Sequence, residues 1–344
     1  MITKKIGDHK QMQDLDFVIT WLDDSDPVWS SEKALYSNER GLNNDSRFRD
    51  WGLLKYWFRA VEQYAPWVRM IHFVTYGHVP DWLDISNPKL HVVNHRDFIP
   101  AQYLPTFNSH TIELNLHRID GLAEHFVYFN DDVFITKPVS PEFFFERGLP
   151  KDIFALFILH FNLDDNNAQT YVNDIMVINS FFDAREVYKQ HWKKLLSPKN
   201  GIRRSIKTFL IWTICNRFFP AFYNPHVHFP FLKSTFGDVW AKAGDVLDET
   251  CMCRFRTPQN NVGPTLIRDW QYASGTFIPR PGRYTRAIPM KDDRIPAAVD
   301  AIENHSYNIL CLNDNAHLQS VDKAMSEIRK AFELILPEKC SFEK

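Results

Sequence analysis

Two clusters of acidic residues each follow directly after a short apolar run of the chain. Asn130, Asp131 and Asp132 follow the run at 126–129, and Asp23 with its acidic neighbours follows the run at 17–22. Carboxylate and amide oxygens are the ligands that hard divalent cations prefer. Adjacent residues of an extended segment point in opposite directions, so one of the two aspartates would face a ligand. Each cluster also fits a helix cap or a tight turn, and the residues alone leave both interpretations open.

Two histidines, His226 and His228, lie two residues apart in a segment that reads as extended. An imidazole titrates near neutral pH and can act as a general acid or base. The alternative is one core histidine and one surface histidine. A metal site built on the pair is disfavoured, because no third nitrogen or sulfur ligand is evident.

Arg254 and Arg256 flank a phenylalanine, which predicts two guanidinium groups on one side of an extended segment. Guanidinium groups bind phosphate in a bidentate manner, although an exposed arginine pair is more often only solvated. Upstream, Asn108 and Ser109 precede a predicted helix at 111–123, where a capping role is the simpler interpretation.

Strands and helices alternate through the first 145 residues. Predicted strands lie at 17–22, 70–76, 91–94 and 126–129, and predicted helices at 51–64 and 111–123. This alternation indicates an α/β layer with a mainly parallel sheet. Ligands bind beyond the carboxyl ends of the strands in such sheets, and both acidic clusters lie at such positions. Further on, we expect a helix near 234–243, an extended loop at 276–294, a strand at 310–315 and a closing amphipathic helix at 322–336.

These patterns divide the chain into four ranges. We expect an N-terminal extension at 1–15 and an α/β half at 16–150 that carries the acidic strand ends. A helical insertion would follow at 151–225, and residues 226–344 would complete the site and end in a helix.

Charge and motif content exclude several classes of function. The 344 residues carry a formal net charge of −2, which does not suggest nucleic-acid binding. The chain contains no phosphate-binding P-loop, no dinucleotide-binding glycine motif and no nucleophile elbow. The five cysteines are scattered and no apolar signal region precedes residue 16, so we expect a cytoplasmic protein.

One segment, residues 203–222, combines a basic start with an apolar middle. A buried core helix is the favoured interpretation. The alternative is an interfacial helix whose Arg and Lys side chains meet anionic headgroups, so that the protein lies peripherally at the inner face of the cell membrane.

Four blocks carry a more specific signal. The first reads DFVITWLDDSD at 16–26, the second runs from Arg47 to Val133, the third runs from His228 to Arg256, and the fourth reads CLNDN at 311–315. In these blocks the chain resembles the Stealth family, which includes bacterial capsule and cell-wall polysaccharide phosphotransferases. The lysosomal-enzyme N-acetylglucosamine-1-phosphotransferase also belongs to that family.

The resemblance implies a GT-A-like α/β fold, a mainly parallel sheet flanked by helices with a helical insertion. It also implies a nucleotide-sugar donor, with a UDP-sugar favoured, an oligosaccharide or lipid-linked glycan acceptor, and Mg²⁺ or Mn²⁺ as the cofactor. The implied catalytic residues are Asp131, Asp132, His228 and Arg256, and the implied metal ligands are Asp132 and Asp314. We expect substrate contacts from Trp21, Asp23, Arg47, Asn108, Asn130, Arg254 and Asn313.

The implied reaction moves hexose-1-phosphate onto a glycan hydroxyl during capsule or cell-wall polysaccharide synthesis. The hydroxyl attacks the phosphorus attached to the sugar, and the nucleoside monophosphate leaves. His228 or Asp131 would accept the hydroxyl proton, and Arg256 would bind the phosphate with support from Arg254.

Two departures from the family pattern stand out. Residues 257–261 read TPQNN where relatives often carry an acidic residue, and the long insertions of the lysosomal enzyme are absent, which favours the compact bacterial type. The alternative functions are a conventional metal-dependent GT-A glycosyltransferase and a non-catalytic carbohydrate-binding protein.

Overall fold

The computed structural model describes residues 14–36, 38, 50–159, 168–314 and 318–344, so the predicted donor residue Arg47 lies outside the described residues. The strands are β1 Leu15–Thr20, β2 Ile71–Thr75, β3 Leu90–Asn94, β4 His125–Phe129, β5 Val133–Ile135, β6 Phe145–Glu146, β7 Leu149–Asp152, β8 Phe229–Leu232, β9 Ile278–Pro279, β10 Thr285–Met290 and β11 Ile309–Asp314. The helices are α1 Pro27–Leu35, α2 Leu54–Tyr64, α3 His95–Phe98, α4 Ser109–Asn115, α5 Pro141–Phe144, α6 Ala168–Phe181, α7 Ala184–Leu195, α8 Ile202–Ile214, α9 Lys233–Met252, α10 Pro264–Ala273, α11 Ile295–Glu303 and α12 Val321–Ile335.

A central five-stranded sheet has the order β3-β2-β1-β4-β8. The first four strands are parallel, and β8 pairs antiparallel with β4 at the edge. Helices cover the sheet on both sides. The predicted α/β fold with a mainly parallel sheet is confirmed.

Both faces of the central sheet are buried, as its apolar strands require. Phe17 and Ile19 of β1 contribute to one core, together with residues of α2, α11 and α12. Val18 points to the opposite face and joins a second core with residues of α6, α9 and α10. The chain after residue 226 therefore returns to both sides of the sheet. The division into four sequence ranges stays a prediction.

A smaller sheet, β10-β11-β5, extends the first core. Its strand β10 lies inside the 276–294 segment, and the prediction of an extended loop there is wrong. The six residues of β10 pair in parallel with β11, a long-range pairing that local Pro and Arg content does not reveal.

The predicted helix at 111–123 is also too long. α4 ends at Asn115 and passes into a short 3₁₀ turn at Leu116–Arg118. The Asn115 side chain donates to the Thr111 carbonyl at 2.8 Å, so an amide side chain competes with the backbone for the helical hydrogen bond.

The preference for a buried helix in the 203–222 segment is wrong as well. α8 ends at Ile214, and within it only Thr208 and Ile211 are buried. No helix among the described residues combines the length and the apolar character that crossing a bilayer requires.

A buried ion pair fastens the C-terminal segment to α2. The guanidinium of Arg59 donates to both carboxylate oxygens of Glu343, at 2.6 and 2.8 Å, and to the Leu336 carbonyl at 2.9 Å. Both side chains are under one-tenth exposed. Burial alone would raise the pKa of Glu343, but the hydrogen bonds from Arg59 and from the Cys340 amide, together with the Arg59 charge, outweigh it and lower that pKa.

We predict that Glu343→Gln lowers the free energy of unfolding by about 3–5 kcal/mol at neutral pH, because it leaves the Arg59 charge buried and unpaired. The difference in the free energy of unfolding between the wild type and Glu343→Gln should decrease as acid protonates Glu343. Denaturant titration measures both effects. The exposed pair Asp238–Lys242 provides the control, since Asp238→Asn should change stability by less than about 1 kcal/mol. Equal effects of the two substitutions would contradict this assignment.

Candidate active site

The candidate site lies at the carboxyl ends of β1 and β4. These strands pair in parallel up to Ile19 and Phe129, so the segments that leave them emerge side by side. The chain continues from β1 to β2 on one side and later returns to β4 on the other side. Such a switch in strand order opens a crevice at the strand ends. Both predicted acidic clusters therefore lie at the same edge of the sheet.

Asp132 lies where three chain segments meet. Its carbonyl accepts from the Leu312 amide of β11 at 2.9 Å. Its Oδ2 lies 3.1 Å from Nε2 of His226 and accepts from the Cys311 thiol at 3.3 Å. Its Oδ1 is buried, and the described residues offer it no hydrogen-bond partner. One carboxylate oxygen is thus held by protein, and the other is left for a ligand.

Of the two predicted histidines, the structure brings His226 and not His228 to Asp132. The chain bends at 226–227 before β8 begins, so the two imidazoles diverge. His228 is completely buried, with Nε2 3.2 Å from Nη2 of Arg280 and its ring edge-on to Phe144. Burial and the neighbouring Arg280 lower the pKa of His228 well below its usual value. His228 is thus less accessible than His226 to a substrate hydroxyl, and its catalytic role stays a prediction.

His226 is the accessible partner, with a side chain that is 40% exposed. Partial desolvation by the surrounding protein would lower the pKa of His226, but the charge and hydrogen bond of Asp132 outweigh it and raise that pKa. The imidazole is therefore a better proton acceptor than a free histidine. Asn130, predicted to contact substrate, has its Nδ2 3.4 Å from the same Nε2 of His226.

Two residues of α10 hold the His226 loop from behind. Fully buried Arg268 donates to the carbonyls of Pro225 and His228, at 3.2 and 2.8 Å. Asp269 accepts from the Asn224 amide at 3.0 Å. The backbone on both sides of His226 is thereby fixed, which is how a general base is kept in place.

A buried polar chain runs behind the site. The Tyr128 hydroxyl lies 3.0 Å from Oε1 of Glu113 and 2.5 Å from Oδ1 of Asn130, and 3.0 Å from the Thr20 hydroxyl. Burial raises the pKa of Glu113 to about 7, although the charge of Arg256 opposes the shift. Glu113 is therefore a carboxyl that can hold or release a proton near neutral pH.

The two predicted arginines, Arg254 and Arg256, lie in different surroundings. Arg256 donates to the Ser109 hydroxyl, and its charge acts on both Glu113 and His226. Arg256 therefore belongs to the neighbourhood of the Asp132–His226 pair. Arg254 instead lies over the ring of Tyr36, with the guanidinium carbon 4.5 Å from the ring centroid.

A cleft of about 210 Å³ adjoins this neighbourhood on the β1 side. Trp21 and Trp82 line it, together with the carboxylates of Asp23 and Asp50. Trp21 is mostly buried and stacks on Phe73, with ring centroids 5.7 Å apart. Two aromatic walls and two carboxylates are the groups that a nucleoside needs for its base and its ribose hydroxyls.

The carboxylates fit a hard divalent cation. Asp131 reaches solvent at the crevice, yet desolvation by the surrounding protein and the charges of Asp132 and Asp50 raise its pKa to about 8. A cation would relieve this repulsion and would satisfy Oδ1 of Asp132. Among the described residues, potential ligand atoms of Asp132, His226 and Cys311 also converge within 4.8 Å. Burial and then Asp132 raise the pKa of the Cys311 thiol well above its usual value, so oxygen ligands are favoured over this sulfur.

The remaining predicted residues lie in different surroundings. Asn108 is fully buried, where it caps α4 and donates to the Cys253 carbonyl at 3.2 Å, and its contact with substrate stays a prediction. Asp314 accepts from the Trp51 indole at 3.0 Å and does not belong to the convergent group at Asp132. Asn313 is exposed at the end of β11.

Sequence reasoning did not single out Glu113 and Asp50, and it weighed His226 together with His228 without choosing it. The Asn224–Pro225 dipeptide predicts a turn, and this turn is what separates His226 from His228. Glu113 lies on a side of α4 that is buried, and its residue type alone does not indicate such burial. Asp50 has no local signal, because its role depends on the long-range approach of its segment to β4.

Comparison with known proteins agrees with the resemblance in the sequence. Conserved region 2 of Stealth proteins matches residues 47–152. The capsular polysaccharide phosphotransferase WcwK of Streptococcus pneumoniae is 38% identical over 97% of this chain and 99% of its own. The receptor polysaccharide phosphotransferase WefC of Streptococcus oralis is 38% identical over 96% of this chain and 100% of its own.

A third relative, the exopolysaccharide phosphotransferase cps2G of Lactiplantibacillus plantarum, is 39% identical over 96% of each chain. A solved structure of the galactosyltransferase LgtC with donor and acceptor sugar analogs is similar with a TM-score of 0.40 and 12% identity, over 93% of this chain and 95% of that one. The near-complete mutual coverage of the phosphotransferases identifies the family: this chain belongs to the Stealth family, together with these bacterial polysaccharide phosphotransferases.

Proposed function

We propose that this protein transfers hexose-1-phosphate from a nucleotide sugar to a hydroxyl of a glycan acceptor during the synthesis of a capsular or exopolysaccharide. The contact of 3.1 Å between His226 and Asp132, at the carboxyl end of β4, is the observation on which the proposal depends. The names of the relatives, which are polysaccharide phosphotransferases, support the same reaction class.

In the proposed reaction His226 is the general base. Asp132 accepts from Nε2 and stabilises the imidazolium, which leaves Nδ1 to accept the acceptor proton. The acceptor oxygen forms a bond to the sugar-linked phosphorus, and the bond from this phosphorus to the nucleoside monophosphate breaks. The electron pair of that bond leaves with the monophosphate. The bond between the sugar and its phosphate stays intact, so the product is a phosphodiester.

Phosphoryl transfer requires alignment and neutralisation of charge more than covalent help. Arg256 would bind the transferring phosphate from the Glu113 side, and Arg254 would support the donor from Tyr36. Asp131, Asp132 and Asp50 would hold a divalent cation, Mg²⁺ or Mn²⁺, which would supply positive charge to the pyrophosphate of the donor. Asp314, which accepts a hydrogen bond from the Trp51 indole, would add a further carboxylate to this group.

The aromatic cleft would bind the nucleoside of the donor. Trp21 and Trp82 would pack against the base, and Asp23 would accept from ribose hydroxyls. A UDP-sugar is the proposed donor, and an oligosaccharide or a lipid-linked glycan is the proposed acceptor. Asn130 and Asn313 would contact the sugar portions, with Asn130 also positioning His226.

The first prediction concerns the reaction itself. With Mg²⁺, a matching nucleotide sugar and a glycan acceptor, the protein should release nucleoside monophosphate and form a phosphodiester visible by ³¹P NMR. Release of nucleoside diphosphate without a new phosphodiester would indicate conventional glycosyl transfer instead. Absence of any nucleotide release across all donors would favour a non-catalytic carbohydrate-binding role.

The second prediction separates the two histidines. His226→Asn should lower kcat by roughly 100- to 10,000-fold with little change in thermal stability, because it removes the proton acceptor and leaves the core intact. His228→Asn should lower the unfolding temperature, while the folded fraction keeps most of its kcat. The reverse pattern, with His228→Asn inactive but stable, would return the base to His228.

The third prediction concerns the cation. Asp132→Asn should weaken the binding of Mn²⁺ by roughly tenfold or more, because it removes charge from the oxygen that lacks a protein partner. Electron paramagnetic resonance of free Mn²⁺ measures this binding without turnover. Asp238→Asn, an exposed carboxylate on α9, provides the control and should bind like the wild type. Unchanged Mn²⁺ affinity in Asp132→Asn would exclude Asp132 as a ligand.

A further inference from the structure

The outer face of α8 exposes a continuous apolar stripe to solvent. Ile202, Ile206, Leu210 and Ile214 recur every four residues, and their exposed fractions lie between 56% and 81%. Phe209 on α8 and Phe218 beyond its end are also exposed. We name this set of six side chains the apolar face. Residues three and four apart share one side of a helix, so the stripe is a single surface and not scattered exposure.

The opposite side of α8 is firmly packed, so the helix is fixed in its orientation. Ile211 is buried, and Trp212 stacks on Tyr188 of α7 with ring centroids 4.5 Å apart. The Thr208 hydroxyl accepts from the Leu156 amide at 3.0 Å. The apolar face is therefore presented outwards by an anchored helix, and its exposure is a property of the folded chain.

The surroundings of the apolar face are strongly basic. Residues 184–217 contain nine Lys and Arg residues but a single acidic residue, Glu186, which gives a local formal charge of +8 in a chain of net charge −2. Arg203 and Lys207 flank the stripe on α8 and are exposed, as is Arg217 beside Phe218. On the neighbouring α7, Trp192 is half exposed. The net charge of the whole chain does not reveal this local concentration of positive charge.

We propose that the apolar face and its basic rim dock on a bilayer surface that contains anionic lipids. Apolar side chains would enter the headgroup region while cations meet lipid phosphates, with α8 lying in the plane of the membrane. A helix of 13 residues is about 20 Å long, so it lies on a bilayer and does not cross it. A second copy of the chain is a poor occupant, because the basic rims of the two copies would repel each other.

The docking surface stands close to the proposed base along the chain. Seven residues lie between Phe218 and His226, and the buried Phe219 and Phe222 anchor the connection. A protein held by α8 would thus have its crevice near the headgroups. A crevice near the headgroups suits an acceptor that is carried on a lipid. This inference about the acceptor rests on the proposed function, whereas the docking itself does not.

Flotation of the full-length protein with vesicles tests the docking without turnover. Wild-type protein should float with vesicles of phosphatidylcholine and phosphatidylglycerol, float much less with phosphatidylcholine alone, and lose binding as salt is raised. The variant Ile206→Ser/Leu210→Ser/Ile214→Ser should lower the vesicle partition coefficient by roughly tenfold or more, because binding scales with inserted apolar area. Its circular dichroism and its turnover with a soluble acceptor should match the wild type.

A matched control replaces apolar side chains of similar exposure elsewhere, Ile85→Ser/Leu334→Ser, and should float like the wild type. Wild-type protein that stays with neither vesicle type would overturn the proposal, as would a triple variant that floats normally. A dimer in sedimentation that the triple variant abolishes, without vesicle binding, would show that a second copy covers this face. Each of these results is independent of whether phosphodiester formation is observed.

Discussion

The parallel pairing of β1 with β4 is the constraint on which the site depends. Because the register ends at Ile19 and Phe129, the acidic segments that follow both strands meet at one edge of the sheet. A shift of this register by one residue would turn each side chain to the opposite face. A second constraint comes from Asp132, whose carbonyl accepts a hydrogen bond from the Leu312 amide and so joins the central sheet to β11. The carboxylate is thus fixed by backbone pairing before any side chain contributes.

The site is built in layers around that fixed carboxylate. His226 and Cys311 hold one oxygen of Asp132, and Arg268 holds the loop that carries His226. Behind them, a buried chain of hydroxyl and carboxyl groups ends at Glu113, next to Arg256. Charge is segregated on the molecule as a whole. Carboxylates gather in the crevice, where they favour a cation, and lysines and arginines gather around α8, where they favour an anionic surface.

The sequence was informative where the signal was local. Buried apolar strands predicted β1, β2, β3 and β4 to within a few residues, and the acidic clusters at their ends were correctly expected to share an edge. Failures arose where distant segments decide the outcome. β10 depends on pairing with β11, and Glu113 is buried by α9 and α10 packing around α4 rather than by its own helix pattern. His228 was preferred to His226 because of the family resemblance, and the spacing of the two histidines did not show that the bend at 226–227 directs them apart. Whole-chain charge concealed the basic insertion for the same reason, since an average over 344 residues hides a local excess.

In the proposed reaction the bond breaks at phosphorus and not at the anomeric carbon. A nucleotide sugar labelled with ¹⁸O in the oxygen that bridges the sugar and its phosphate tests this directly by mass spectrometry. The label should stay in the glycan product, between the sugar and phosphorus, and the released nucleoside monophosphate should carry none. Label recovered in a released nucleoside diphosphate would contradict it.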